Sequence, residues 1–287
     1  MKRHWSTILL VVIFFLGLSI LLYPTVSDYI NSLHQSSAIA NYEEALSDLK
    51  ETDSERLWNA AQAYNSSLAN EPGRFSPSET ELAGYNGLLD PIGTGVMGYV
   101  EIPSIKVRLP IYHGTGEDVL QSGVGHLTGS SLPVGGLGTH CVLSGHRGLP
   151  SAKLLTDMDR LTKGEIFYLC VLDYTLAYEI DQILIVEPTV NDELDFEPGQ
   201  DYCTLVTCTP YGVNTHRLLV RGRRVENTAK ASTTVRIPAD AVLVDPLLVA
   251  PVVGAALLLL LFAVSISGRK ARNRPVKQLQ KINKTKM

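Results

Sequence analysis

The pattern of apolar and polar positions changes character several times along the chain. An almost unbroken apolar run extends from Ile8 to Leu22, and twenty residues without a charge extend from Leu247 to Ile266. Runs of this kind predict membrane-spanning helices over residues 7–23 and 246–267. The first run is short enough for a secretory signal peptide. Its best cleavage candidate, Ala38-Ile39-Ala40, lies far beyond the run, which favours an uncleaved anchor.

Behind the first run the apolar positions recur at intervals of three and four, as on an amphipathic helix. Ser27 to Lys50 shows this period, and a second helix is predicted from about Asp53 to Ala69, with Asp53 or Ser54 as its cap. Residues 70–73 contain Pro and Gly, which end it. The next segment, Phe75 to Met97, is weakly patterned and predicts a long loop, a feature that is commonly functional in a compact domain.

From Gly98 onward the period becomes that of strands separated by Gly- and Pro-containing turns. About eight short strands of this kind indicate a β-barrel or a β-sandwich. A short helical crossover is predicted within Ser151 to Leu161. The predicted strands are Tyr99 to Ile102, Val107 to Tyr112, Thr139 to Leu143, Glu165 to Leu172, Leu176 to Asp181, Ile183 to Glu187, Cys203 to Thr207 and Arg217 to Val225.

The charges support a topology with both ends in the cytoplasm. All 29 acidic residues lie between Asp28 and Asp245, with 15 of the 25 basic ones, so this middle part carries a net charge of −14. The basic residues outside it flank the two apolar runs, and the positive-inside rule then places the middle part outside the cell. So acidic a domain makes nucleic-acid binding improbable, whereas the basic tail can contact anionic lipid.

These patterns divide the chain into eight segments. The central part is a mainly β domain with helices ahead of it and one membrane helix on either side. The segments are a cytoplasmic N-terminus (1–6), a membrane anchor (7–23), a helical region (24–74), a long loop (75–97), the strand-rich domain (98–226), a polar stalk (227–245), a second membrane helix (246–267) and a basic cytoplasmic tail (268–287).

Candidate chemistry is concentrated in Thr204 to Gly222, where one apolar run ends on Cys208 and another begins at Arg217. Two strands joined by a turn would bring this thiol and this guanidinium together at one rim of a sheet. A nearby cation lowers the pKa of a thiol, and a guanidinium can also stabilise an oxyanion. Taken alone, however, a cysteine at a strand end is more often an inert hydrophobic filler.

Among the seven histidines, His146 has the setting of a general acid or base. It follows a buried strand and is framed by Gly145, Arg147 and Gly148, which place its ring on a permissive loop. His216, next to Arg217, is the nearest alternative.

The cysteines predict neither a disulfide nor a metal site. Cys203 and Cys208 lie too far apart on one strand to be bridged, and Cys141 and Cys170 sit in apolar runs that predict burial. None has the spacing of a metal-ligand motif.

Two segments together resemble the sortase transpeptidases of Gram-positive bacteria. They are LSGHRGLPSAKLL around His146 and TLVTCTPYGVNTHRLLVRG around Cys208, and the resemblance covers about residues 99–225. It implies an eight-stranded sortase-type barrel with Cys208 as nucleophile, His146 as acid or base and Arg217 as oxyanion binder. His216 is then structural.

The helices, the second span and an Asp-Pro loop resemble the class C, pilus-building members. That resemblance implies cleavage of an LPXTG-like signal between Thr and Gly, followed by transfer to a lysine of another pilin, without metal or organic cofactor. It also implies a lid in which an Asp meets the catalytic Arg and an aromatic ring covers the Cys. This chain has Asp90-Pro91-Ile92, so an aliphatic residue replaces the ring.

Three other functions remain open from the sequence. A sortase that attaches proteins to a peptidoglycan amine would use the same residues, although two spans and a lid argue against it. A membrane-tethered thiol hydrolase would release an acid instead of an amide. A surface adhesin with a barrel head would leave Cys208 inert.

Overall fold

The computed structural model describes residues 5–68, 71, 73–189 and 192–226. The predicted stalk at 227–245, the second membrane helix at 246–267 and the tail at 268–287 lie outside the described residues. The described helices are α1 (Trp5–Asp48), α2 (Glu51–Leu68), α3 (Glu79–Asn86) and α4 (Glu117–Ser122).

Helix α1 combines two segments that the sequence pattern predicts as separate helices. It runs without interruption from the apolar segment through Pro24 into the amphipathic segment. Among the described residues it is the one helix long and apolar enough to cross a membrane, and none of its apolar window is buried in the protein. A core helix would have that window buried, so α1 fits a membrane anchor.

The predicted loop from Phe75 to Met97 is wrong in its middle, where α3 forms. Ser78 caps this helix: its hydroxyl accepts from the N–H of Glu81, and the Glu81 carboxylate accepts from the N–H of Ser78. The two interactions form a capping box, which satisfies groups that the first helical turn leaves without partners. The helix has only eight residues and a weak apolar pattern, so periodicity does not reveal it.

Eight strands close into a barrel in the order β1-β2-β3-β4-β7-β8-β6-β5. The predicted number of strands is right, but the predicted set differs from the observed one in two places. The short strand β3 was not predicted, and two predicted strands are halves of β6, which continues through a register shift between Ile180 and Gln182. The strands are β1 (Val96–Ile102), β2 (Val107–His113), β3 (Val124–His126), β4 (Thr139–Ser144), β5 (Ile166–Val171), β6 (Tyr174–Val186), β7 (Asp201–Thr209) and β8 (His216–Val225). The predicted crossover is a short 3₁₀ turn at Thr156–Arg160.

The strand directions define two ends of the barrel. β4 and β7 are parallel, and the pairings through β2 and β3 make β1 run the same way. We call the end at which β4 and β7 finish the Cys208 end, and the end at which they begin the Asp201 end. The connection between β7 and β8 lies at the Cys208 end, and the start of β1 lies at the Asp201 end.

Side chains that alternate along the strands fill the barrel and cover one outer face. Cys203 and Leu205 of β7 point inward and are fully buried in the main core. Val206, between Leu205 and Cys208, packs instead in a small outer cluster around Leu219 and Leu194. Since side chains alternate along a strand, Cys208 lies on the same outer face as Val206.

Helix α1 runs along the barrel from one end to the other. Near the Cys208 end, the Asp28 carboxylate accepts from the N–H of Lys153 at 2.6 Å and the Asn31 amide donates to the carbonyl of Ser151 at 2.7 Å. At the Asp201 end, the buried Tyr42 hydroxyl donates to the Met97 carbonyl and accepts from the N–H of Leu172. These contacts fix the helix against the barrel.

Candidate active site

Cys208 and Arg217 face each other across the last hydrogen-bonded rungs of β7 and β8. They are direct register partners, and both are half-buried. Residues paired in this way point to the same side of an antiparallel sheet. The Arg217 guanidinium donates only long bonds, to the carbonyls of His216 at 3.3 Å and Asn214 at 3.5 Å. No described carboxylate lies within ion-pair distance of it, so it is available to an anion.

His146 reaches the same end from the neighbouring strand. Ser144, the last residue of β4, pairs with Val206 of β7, and the ladder continues as Gly145 donates to the Val206 carbonyl at 3.0 Å. The Thr207 hydroxyl also donates to the Gly145 carbonyl at 2.8 Å. His146 therefore leaves the sheet beside the end of β7. The three residues predicted for catalysis thus lie at one end of the barrel.

A carboxylate that sequence reasoning missed lies next to the His146 ring. Glu117, the first residue of α4, places Oε1 3.4 Å from His146 Nε2. That nitrogen is buried and forms no hydrogen bond, so the contact is electrostatic. A bond from Gln121 and then the charge of His146 lower the pKa of Glu117. No sequence signal connects the two residues, which lie on different connections.

The loop that carries His146 is held by Arg147 and by an aromatic contact. The Arg147 side chain is 7% exposed, forms an ion pair with Asp159 at 2.6 Å and approaches the Thr209 hydroxyl at 3.4 Å. Gly148 has a φ of +76°, and a Cβ there would come within 2.9 Å of the Tyr211 ring. Glycine is needed for both reasons. The connection after β4 and the connection after β7 are therefore packed together.

The proposed lid residues occupy a different position from the one expected. Asp90 precedes β1 and so lies towards the Asp201 end, where its carboxylate accepts from the N–H groups of Thr94 and Gly95, both at 3.0 Å. The expected ion pair with Arg217 is not formed among the described residues. The physical reason is that the turn itself satisfies both carboxylate oxygens. Ile92, in the same turn, is half-buried.

A second segment ahead of the barrel is bonded to the connection between β6 and β7. Arg74 forms an ion pair with Asp195 at 2.8 Å and lies over the rings of Phe75 and Phe196, at 4.5 and 4.1 Å from their centres. Asp195 and Phe196 belong to the connection between β6 and β7, whose Leu194 covers the outer cluster beside Val206. We call these contacts of Arg74 with Asp195 and Phe196 the Arg74 clamp. The sequence has no periodic pattern that predicts it.

The remaining cysteines have the properties of structural residues. All four are free thiols in the structure. Cys141 and Cys203 are buried register partners on β4 and β7, and burial raises the pKa of Cys203 well above its ordinary value. Burial also raises the pKa of Cys170 to about 11, although this residue is partly exposed. The Cys203 and Cys170 thiols are therefore protonated at neutral pH and are poor nucleophiles.

The other described histidines within the barrel are occupied by structural contacts. His113 bonds to two backbone carbonyls and His140 to a carbonyl and the Thr204 hydroxyl, and burial lowers the pKa of both. His126 is fully buried and bonds to the Tyr85 hydroxyl. His216 lies against the neighbouring Thr215 hydroxyl at 2.9 Å. No group of three or more potential metal ligands occurs in the part of the chain that the structure describes.

Comparison with known proteins gives one consistent family. Residues 100–225 match the model of the sortase domain. Among curated relatives, sortase A of Streptococcus agalactiae is 32% identical over 48% of this chain and 56% of its own length. Sortase D of Bacillus subtilis is 32% identical over 45% of this chain and 63% of its own length. The chain thus spans less than two thirds of each of these curated relatives.

Solved structures of sortase C proteins match over more of the chain. Sortase C1 from Streptococcus agalactiae is 47% identical, with a TM-score of 0.65, and the match covers 67% of this chain and all of that one. Sortase C of Clostridium perfringens, solved with a C-terminal cell wall sorting motif, is 45% identical with a TM-score of 0.57, over 67% of this chain and 99% of that one. A Streptococcus pneumoniae sortase C, whose structure was analysed for pilin substrate specificity, is 46% identical with a TM-score of 0.59, over 67% of this chain and 98% of that one.

Proposed function

Because the chain belongs to the sortase family, whose members are cysteine transpeptidases, we propose that it is a class C sortase that polymerises pilins. The observation that carries the proposal is the convergence of Cys208, Arg217 and His146 at one end of a closed barrel. The identity of 41–47% to sortase C structures favours class C over the cell-wall-anchoring members.

In the first half of the reaction, the Cys208 thiolate attacks the carbonyl between Thr and Gly of an LPXTG-like signal. Arg217 is suited to the oxyanion that forms, since it lies on the same face as Cys208 and no described carboxylate neutralises it. His146 protonates the departing amine, and a thioester remains on Cys208. The carboxylate of Glu117 lies 3.4 Å from His146 Nε2 and so contacts the ring that transfers this proton.

In the second half, an amine replaces the sulfur. We propose that a lysine side chain of another pilin is the acceptor, that His146 removes its proton, and that an isopeptide bond forms as the thiolate leaves. The sequence motif and residue positions call for no cofactor. The pilin partners are proposed on the basis of the class C relatives, one of which was analysed for pilin specificity.

The proposed location is the cell membrane, with the barrel outside. Helix α1 supplies one anchor, and residues 246–267 are proposed as a second span that brings the basic tail back to the cytoplasm. A reporter fused after Met287 should be protected from external protease, and one within the stalk should be cut. A cleaved C-terminal reporter on intact cells would contradict the two-span topology.

The reaction is tested with the full chain in detergent or vesicles and a fluorogenic LPXTG peptide. With a lysine-bearing pilin as acceptor, mass spectrometry should find the isopeptide product, and prolonged incubation should give a ladder of joined pilins. Release of the free acid regardless of acceptor would instead indicate a thiol hydrolase. Transfer to a peptidoglycan amine but not to the pilin lysine would indicate a cell-wall-anchoring sortase.

A further inference from the structure

The direction of α1 along the barrel determines which end of the barrel is nearer the membrane. Tyr42, late in the helix, is bonded at the Asp201 end, whereas Asp28 and Asn31, fourteen and eleven residues earlier, are bonded at the Cys208 end. The helix is continuous between these contacts. Its N-terminal apolar part therefore projects beyond the Cys208 end and away from the Asp201 end.

The helix is also short between its apolar part and the barrel. The apolar run ends near Leu22, and Asp28 is six residues further along. At 1.5 Å per residue this corresponds to a rise of about 9 Å. The head-group layer of a bilayer is about 5–8 Å thick on each side. The connection bonded by Asp28, residues 145–165, thus lies close to the outer surface of the head groups.

The connection between β7 and β8 presents apolar side chains on this same end. Tyr211 is 59% exposed and Val213 is 66% exposed. Tyr211 packs against Gly148, five residues before Lys153, to which α1 is bonded. An exposed tyrosine beside an exposed valine suits the membrane interface, where a ring has an apolar body in the lipid and a hydroxyl in water.

We propose that the Cys208 end faces the bilayer, with residues 210–215 resting in its head-group layer. This rests on the proposal that α1 spans the membrane. The occupant of the surface is lipid, because α1 continues through Pro24 without a break and its apolar run ends about 9 Å from its contact with the barrel. Cys208, at the foot of this connection, then lies near the membrane, and the Asp201 end points away from it. A substrate held in the same membrane would reach the thiol without passing along the barrel.

The test uses the full chain in vesicles and tryptophan as a depth probe. Trp5 and Trp58 are the native tryptophans, and both are replaced by Phe. Into this background Tyr211→Trp and Val213→Trp are introduced separately. The matched control is Leu137→Trp, because Leu137 is 84% exposed and lies two residues before β4 at the Asp201 end. Vesicles contain either ordinary lipid, lipid with a nitroxide on the head group, or lipid with brominated upper acyl carbons.

Flotation first establishes that each variant is anchored, and circular dichroism that it is folded. We expect the head-group nitroxide to remove more than half of the fluorescence of both probes at 211 and 213, and to leave that of the probe at 137 nearly unchanged. A floating chain in which 211 and 213 are quenched no more than 137 would overturn the proposed orientation while leaving the transpeptidase assay unaffected. A chain that does not float would overturn the anchor and this inference together.

Discussion

The two ends of the barrel differ in how fully their polar groups are hydrogen-bonded. At the Cys208 end, His146 Nε2 and Arg147 Nε are buried without hydrogen bonds, and the Arg217 guanidinium has only long ones. At the Asp201 end, the Tyr42 hydroxyl bonds twice, and Asp90 uses both its oxygens. Buried nitrogens of two other arginines, Nη1 of Arg224 in the last part of β8 and Nε of Arg74, also lack a hydrogen bond.

This difference indicates that internal hydrogen bonds stabilise the Asp201 end, whereas the polar groups of the Cys208 end are available to a substrate. Buried polar groups in a folded protein are normally satisfied, so the adjacent exceptions at His146 and Arg147 set the Cys208 end apart from the turn at Asp90. The Asp201 end holds α1 and the turn before β1 in position. The comparison predicts that changes at the Cys208 end affect chemistry, and that changes at the other end affect stability.

The largest expected effect is that of Cys208→Ala. Transpeptidation should fall to the detection limit, because no other described thiol lies on the outer face beside Arg217. The measurement is product formation with the LPXTG peptide and a pilin acceptor. Cys170→Ala is the matched control, since the Cys170 thiol has a raised pKa and should be dispensable. Residual thioester in the Cys208→Ala protein would contradict the assignment.

Arg217→Lys should have the next largest effect. A point charge on a flexible stem does not reproduce a planar fork of donors, and removal of one oxyanion donor lowers kcat by about 10²–10³-fold. Arg221→Lys is the control on the same face of β8, where the guanidinium is held by Asp181 and Glu197. Single-turnover acylation measures the effect. Equal losses in the two variants would remove Arg217 from the oxyanion role.

Glu117→Gln tests the charge beside His146 and should have a smaller effect on the rate. The amide keeps the size of the side chain but carries no charge, so the electrostatic contact with His146 Nε2 is lost. Single-turnover acylation and kcat/KM with the LPXTG peptide should both fall, by less than in Arg217→Lys. Asp118→Asn, on the next residue of α4, is the control. An unchanged kcat/KM would show that the Glu117 charge does not assist His146.

Acidification should destabilise the fold through His113 and His140. Burial lowers the pKa of both below the ordinary value of 6.5, so the unfolded chain binds more protons than the folded one as the pH falls past that value. Their contribution is complete above about pH 6.5 and is lost towards the folded pKa, at up to about 1.4 kcal/mol per pH unit and site.

The melting temperature should therefore decrease between pH 7 and pH 5, and His140→Gln should make that decrease shallower. The control is His34→Gln, the same substitution made at an exposed histidine of α1. A slope that is the same in wild type and His140→Gln would contradict a role for this residue in the acid sensitivity.

The smallest expected effect on chemistry is that of Asp90→Ala combined with Ile92→Ala. Because Asp90 is bonded within its own turn at the Asp201 end, the double variant should be less stable, with about the same rate of Cys208 alkylation as wild type. Loss of two bonds to a carboxylate costs about 1.5–3 kcal/mol each. A faster alkylation would restore these residues as a lid.

The matched variant for that experiment is Arg74→Ala, which releases the clamp on the connection between β6 and β7. That connection covers the outer cluster beside Val206 on the strand of Cys208, so opening it is expected to speed alkylation. Measured side by side, the two variants show which of the segments ahead of the barrel limits access to the thiol. If both variants were alkylated at the wild-type rate, neither segment would limit access to the thiol.

The sequence by itself determined the elements whose signal is local. The motifs around His146 and Cys208, the apolar run of α1 and most of the strands could be predicted because periodicity and short motifs act over a few residues.

Tertiary structure decided the rest. β3 is three residues long and depends on its neighbours on both sides, and β6 continues through a bulge that resembles a strand boundary. The contact of Glu117 with His146, the clamp at Arg74 and the position of Asp90 depend on pairing between distant segments. Such pairings are set by barrel closure and burial, which no local stretch of sequence encodes.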